Sequence, residues 1–210
     1  MKSVPVGGSV AIPTGSTPRP LYARVREDAA AAARWRTWRF VQLDEYIAPP
    51  AGTESFAAAL ARELLDPLGV PDSQRLAFPS LEDAADLRAV GSRYDRQLES
   101  WSPLSLVILG LGHNGHVAFN EPCDAFVDGV HRVELTSDTL RRNFGAGVER
   151  LAALTIGVPQ ILRATRIALV VPQLEKQGGL ERALTGEVTP RCPASALQEH
   201  EDFHVFRIER

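Results

Sequence analysis

The chain has 210 residues, 23 Lys and Arg against 26 Asp and Glu, and a formal net charge of −3. That length, at 44% hydrophobic residues, suits one large domain or two small ones with a sizeable core. Without a basic run the chain is a poor nucleic-acid binder, no apolar stretch approaches the ~18 residues of a membrane helix, and two Cys make no disulfide framework. In chain order, Ser9–Ile12 reads as a short apolar strand. The turn Thr14-Gly15-Ser16-Thr17 leads into a helix with Pro18 near its first turn, running through Leu21 and Val25 into the Ala-rich stretch 29–33. Residues 38–43 read as the next strand, followed by a polar loop broken by Pro49 and Pro50. Residues 55–65 carry Phe56, Leu60, Leu64 and Leu65 on one helical face, and Pro67 is expected to end that helix. Ser80 and Asp83 resemble a capping box for a helix reaching about Leu98.

Residues 104–109 form the most apolar strand and the expected sheet centre, because buried parallel strands read as continuous apolar runs. Further strands are expected at 131–135, 153–156, 166–171 and 203–208, with a helix near 174–184. Strands alternating with helices predict an α/β fold: three layers, a mainly parallel twisted sheet with helices on both faces, Rossmann-like. With no repeat and no obvious linker, residues 1–210 are read as a single domain. The start Met1–Pro5 lacks the apolar core of a signal peptide, so a soluble, cytoplasmic enzyme or binding domain is expected.

The residues after the central strand, Gly110-Leu111-Gly112-His113-Asn114-Gly115, satisfy the G-x-G-x-x-G dinucleotide fingerprint, and Glu134 lies where a ribose-binding acid would be sought. Pro122 argues against that reading, because the fingerprint needs a long helix after its third glycine. A bland strand-to-helix turn explains the glycines but not two His, an Asn and a Glu within nine residues. His113, His116 and Glu121 suggest a metal site only if both His share a helix. Acid–base chemistry, with neither metal nor cofactor, is the preferred reading.

The run from Leu109 to Pro122, with its Phe119-Asn120-Glu121-Pro122 ending, resembles the signature of glucosamine-6-phosphate deaminases. Leu43-Asp44-Glu45-Tyr46, Ile12 to Pro18, Thr155 to Pro159 and Lys176 to Gln198 resemble further segments of that family, in one order over about residues 8–208. The 6-phosphogluconolactonases share the glycine loop but typically lack Phe-Asn-Glu-Pro. The resemblance implies conversion of glucosamine 6-phosphate to fructose 6-phosphate and ammonium. It implies Asp44 as the base that shuttles the C2 proton, His116 for ring opening and Glu121 to orient His116, with Glu45 structural. It also implies a sugar phosphate held by Gly15, Ser16, Thr17 and Lys176, and a substrate loop at Gly110 and Gly112.

The chain departs from the pattern at three places. Asn114 stands where many members carry Asp, so no Asp–His relay is expected and Glu121 is left to orient His116 alone. Gly145 aligns with a lid arginine, and Arg142, about one helical turn earlier, is the expected substitute. The helices that usually precede the first strand and follow the last are expected to be missing, which argues against an allosteric oligomer. The expected state is a monomer or small homo-oligomer, with no nucleic-acid or membrane partner. A 6-phosphogluconolactonase-type hydrolase and a catalytically weakened sugar-phosphate-binding module stand as alternatives.

Overall fold

A computed structural model describes residues 4–207 apart from residue 83. Strands β1 (Ser9–Ile12), β2 (Arg39–Gln42), β3 (Asp44–Ile47), β4 (Arg75–Leu76), β5 (Leu106–Gly110), β6 (His131–Glu134), β7 (Ala152–Thr155), β8 (Ile167–Val171) and β9 (Phe203–Arg207) are interspersed with helices. The helices are α1 (Arg19–Glu27), α2 (Ala29–Trp35), α3 (Phe56–Leu60), α4 (Asp66–Leu68), α5 (Leu87–Ser100), α6 (Ser137–Phe144), α7 (Val158–Leu162) and α8 (Gln177–Thr185). The main sheet has the order β4-β2-β1-β5-β8-β9 and every pairing in it is parallel. Because strand side chains alternate, each strand feeds two cores. Val10, Ile12, Phe40 and Ile108 pack with Tyr22, Val25, Trp35 and Leu64 on one face. Ala11, Val41, Val107 and Leu109 pack with Val90, Tyr94, Ile161 and Leu180 on the other. The result is the expected three-layer α/β architecture, with β5 in the middle of the sheet.

Four local readings need correction. Asp44–Ile47 is not a polar loop but β3, which joins β7 and β6 in a second, antiparallel sheet. The strands expected at 131–135 and 153–156 therefore form, but outside the parallel sheet. The expected helix from Pro18 to residue 33 breaks at Asp28, whose carboxylate caps α2 by accepting from the N–H groups of Ala30 (2.9 Å) and Ala31 (3.0 Å). Pro67 does not end the helix begun at α3. A π turn over Ala61–Leu65 carries the chain into α4, and Gly69, at φ +66°, terminates it. Finally, α5 starts at Leu87 under Asp86, which accepts from the Ala89 N–H at 2.9 Å, and not at Ser80; Asp83 lies outside the described residues. Among the described residues no helix is long and apolar enough to cross a membrane.

Candidate active site

The carboxyl ends of parallel strands are where an open α/β sheet presents loops to a ligand. Here the loops after β1, β5 and β8 line one cleft of about 740 Å³, closed on the far side by β3 and α6. A second cleft, about 840 Å³, is bounded by Asp95, Asp128, Gln160 and Arg163. Three of its charged groups are already engaged: Arg163 forks onto Asp128 at 2.9 and 3.0 Å, and Asp95 accepts from Gln160 at 2.7 Å. The first cleft is different, because among the described residues nothing donates to the carboxylate of Asp44 on its wall.

One end of that cleft is basic. The loop from Pro13 to Thr17 turns through Gly15 at φ +90°, a conformation that costs glycine little. Thr17 Oγ1 accepts from Gln173 Nε2 at 2.8 Å, which ties this loop to the segment carrying Lys176. Lys176 stands at the N-cap of α8, and burial, with a smaller contribution from Arg142, holds its ammonium below the ordinary lysine value despite Glu175. Arg142 lines the same wall and pairs with Asp138 at 3.0 Å, whereas Arg141 lies outside the cleft wall. His113 completes the group; burial, then the charges of Arg142 and Lys176, hold its imidazole below its ordinary value. The loop before α1 and the side chains of Lys176 and Arg142 thus line one end of the same cleft.

Asp44 faces the cleft from the first position of β3. It is 8% exposed, and among the described residues nothing donates to its carboxylate. Burial, reinforced by the neighbouring charge of Glu45, pushes its pKa up to about 8. Glu45 points the opposite way and is fully occupied. It accepts from the N–H groups of Tyr46 (3.0 Å), Phe56 (3.1 Å) and Ala57 (3.1 Å) and from Gln42 Nε2 (3.0 Å). Adjacent carboxylates on one strand thus divide into a structural anchor and an unsatisfied acid.

His116 sits opposite on the glycine loop. A Cβ on Gly112 would lie 2.3 Å from the His116 ring, so the second glycine of the loop is the seat of the imidazole. Gly110 is under no such constraint, since a Cβ there would meet Thr17 at an ordinary 3.8 Å. Ala118 adopts φ +49°, a strained conformation for a residue with a Cβ. Asn120 pins that turn by donating to Val117 O at 3.1 Å and Ile156 O at 2.9 Å.

The imidazole is oriented from behind. Asn114 Nδ2 donates to Glu121 Oε2 at 2.6 Å, which fixes the amide so that Oδ1 faces His116 Nδ1 at 2.8 Å. An amide oxygen only accepts, so Nδ1 carries the hydrogen and Nε2 is left to exchange a proton. Glu121 is buried and 3.7 Å from Nδ1, beyond hydrogen-bond distance. The expectation that Glu121 alone orients His116 is therefore corrected: Asn114 makes the direct contact and Glu121 sets Asn114. Burial works to raise the Glu121 pKa, but His116, Thr139 and Asn114 outweigh it and hold the carboxyl below its ordinary value.

The structure thus brings Gly15, Ser16, Thr17, Asp44, Gly110, Gly112, His116, Arg142 and Lys176 to one cleft, with Asn114 and Glu121 behind His116. Glu134 lies on β6, paired with Arg132, outside the cleft wall. No helix follows Gly115, and the next regular element is β6. The dinucleotide reading fails on that geometry. Sequence reasoning missed Thr136 and Thr139, whose hydroxyls reach Glu121, and Tyr46, whose hydroxyl accepts from Asn143 Nδ2 at 2.9 Å. A Thr-x-x-Thr helix start was the available signal for the first pair.

A family model described as glucosamine-6-phosphate isomerases/6-phosphogluconolactonase matches residues 7–205. The glucosamine-6-phosphate deaminase of Streptomyces coelicolor is 36% identical over 199 residues, covering 90% of this chain and 74% of that protein. The enzyme of the same name from Bacillus cereus strain B4264 is 34% identical over 198 residues, covering 92% and 72%. Among solved structures, a monomeric glucosamine-6-phosphate deaminase superposes with a TM-score of 0.85 at 28% identity, over 96% of this chain and 85% of that one. A 6-phosphogluconolactonase from Thermotoga maritima gives a TM-score of 0.76 at 18% identity, over 98% and 87%, a likeness of fold.

Proposed function

The chain belongs to the family of glucosamine-6-phosphate isomerases and 6-phosphogluconolactonases, and we propose that it converts glucosamine 6-phosphate to fructose 6-phosphate and ammonium by acid–base catalysis in the cleft described above. The observation that carries this reading is that a buried Asp44, with no donor among the described residues, shares one cleft with an imidazole whose free nitrogen is fixed as Nε2. The phosphate rests on the amides of Gly15, Ser16 and Thr17, with Lys176 and Arg142 supplying charge. Gly110 lets the sugar lie close to the backbone of the loop, while Gly112 leaves room for the His116 ring beside it.

In this reading His116 Nε2 moves a proton to the ring oxygen and opens the sugar. Asp44 then takes the C2 proton, forming an enolamine, and returns it to C1. The C2 imine so formed adds water and releases ammonium, leaving the ketose. Each positioned proton transfer is worth roughly 10²–10⁴-fold in rate. Asn114 and Glu121 act through His116 by fixing its tautomer. The protein acts in the cytoplasm as a monomer or small homo-oligomer in the same reading.

Purified protein supplied with glucosamine 6-phosphate tests this. Ammonium and fructose 6-phosphate in equal amounts support it. Faster hydrolysis of 6-phosphogluconolactone assigns the cleft to the other branch of the family, and binding without turnover of either makes the protein a sugar-phosphate binder.

A further inference from the structure

Glu121 is 4% exposed, so its position is dictated by the groups that donate to it. Two of those donors come from the start of α6. Thr139 Oγ1 donates to Glu121 Oε1, and Thr136 Oγ1 lies 3.2 Å from Glu121 Oε2. Thr136 is also the N-cap of α6 and accepts from the Thr139 N–H at 3.4 Å. One turn further on, the same helix presents Arg142 to the basic end of the cleft. Its buried Leu140 packs into the small core beneath the second sheet, and Asn143 ties its end to Tyr46 on β3. α6, eight residues long, is thus tied at its start to Glu121 and at its end to Tyr46.

We propose that Thr136 and Thr139 are positioning residues, through which α6 links capture of the substrate phosphate at Arg142 to the Glu121–Asn114–His116 chain. This rests on the proposed deaminase reading and on Arg142 as a phosphate contact. When the phosphate engages Arg142, it competes with Asp138 for the guanidinium and draws on the helix that holds Glu121. Glu121 passes its placement to His116 through the 2.6 and 2.8 Å contacts of Asn114. Binding energy from the remote phosphate is thereby expressed in kcat as well as in KM.

A double-mutant cycle on the full chain tests the link, with ammonium release as the assay and the NMR pH titration of the His116 ring as the second readout. Thr139→Val is expected to lower kcat about tenfold or more with KM little changed, since it removes a hydrogen bond to a buried charge. Thr139→Ser, which keeps the hydroxyl, is expected to restore kcat and the wild-type titration of His116. In an Arg142→Ala background the cost of Thr139→Val is expected to shrink, because the two act in one chain. Independent, multiplying effects of Thr139→Val and Arg142→Ala overturn the coupling, and a fully active Thr139→Val overturns the positioning role. An unchanged KM in Arg142→Ala overturns instead the phosphate assignment. Should Thr139→Val fail to fold, Thr136→Val read against Thr136→Ser carries the same cycle.

Discussion

Asp44 and Glu45 are neighbours of the same chemistry, yet the fold gives them opposite duties. Four donors satisfy Glu45, while Asp44 is left with desolvation and a like charge beside it, and its pKa rises to about 8. A base must be ionised to accept the C2 proton, so kcat/KM is expected to climb as pH rises and to level above about pH 8. A kcat/KM flat between about pH 6 and 8 contradicts the assignment of Asp44 as base. Asn114 makes a second prediction at this scale. Its amide serves His116 through the oxygen and Glu121 through the nitrogen. Asn114→Asp keeps the acceptor toward His116, and one proton shared between the new carboxyl and Glu121 replaces the amide donor, so activity is expected to stay within about tenfold, a barrier change under ~1.4 kcal/mol. A loss of several orders of magnitude in ammonium release refutes that.

Among the elements, α6 separates two adjacent arginines, of which Arg142 is the one the sequence reading assigns to the phosphate. Arg142 turns to the cleft beside Asp138, while Arg141 is exposed beyond it. Arg142→Ala is expected to raise KM for glucosamine 6-phosphate severalfold, and Arg141→Ala to leave it unchanged. Steady-state kinetics on both variants decide the point, and equal KM values refute the phosphate role. The strands of the main sheet were legible because continuous apolar runs such as residues 106–109 have few other uses. β3 was not, because Asp44 and Glu45 read as loop residues until the donors to Glu45, from α3 and from Gln42, are in place. The site loops were legible from residue types at fixed spacing. The donors to Glu121 were not, because Thr136 and Thr139 arrive from an element distant in sequence and look like an ordinary helix cap.

At the scale of the whole molecule, the net charge of −3 cannot draw in an anionic sugar phosphate, so in the proposed function capture rests on the local cations Lys176 and Arg142. The site also taxes the fold. Asp44 has its pKa raised in the native state, so the folded chain holds a proton that the unfolded chain gives up above about pH 4. Stability linked to this group is therefore full below its ordinary carboxylate value and falls as pH rises toward about 8. Asp44→Asn is expected to melt several degrees above the wild type near pH 8.5 and with little difference near about pH 4. Melting curves showing the same gap at both values contradict this. The central claim, an acid–base deaminase built around Asp44 and His116, is tested most directly by one measurement. Ammonium released from glucosamine 6-phosphate is followed for the wild type and Asp44→Asn side by side. Ammonium matched by fructose 6-phosphate in the wild type, falling roughly 10²–10⁴-fold in the variant, is the predicted result. No ammonium from the wild type, or an unchanged rate in Asp44→Asn, contradicts it.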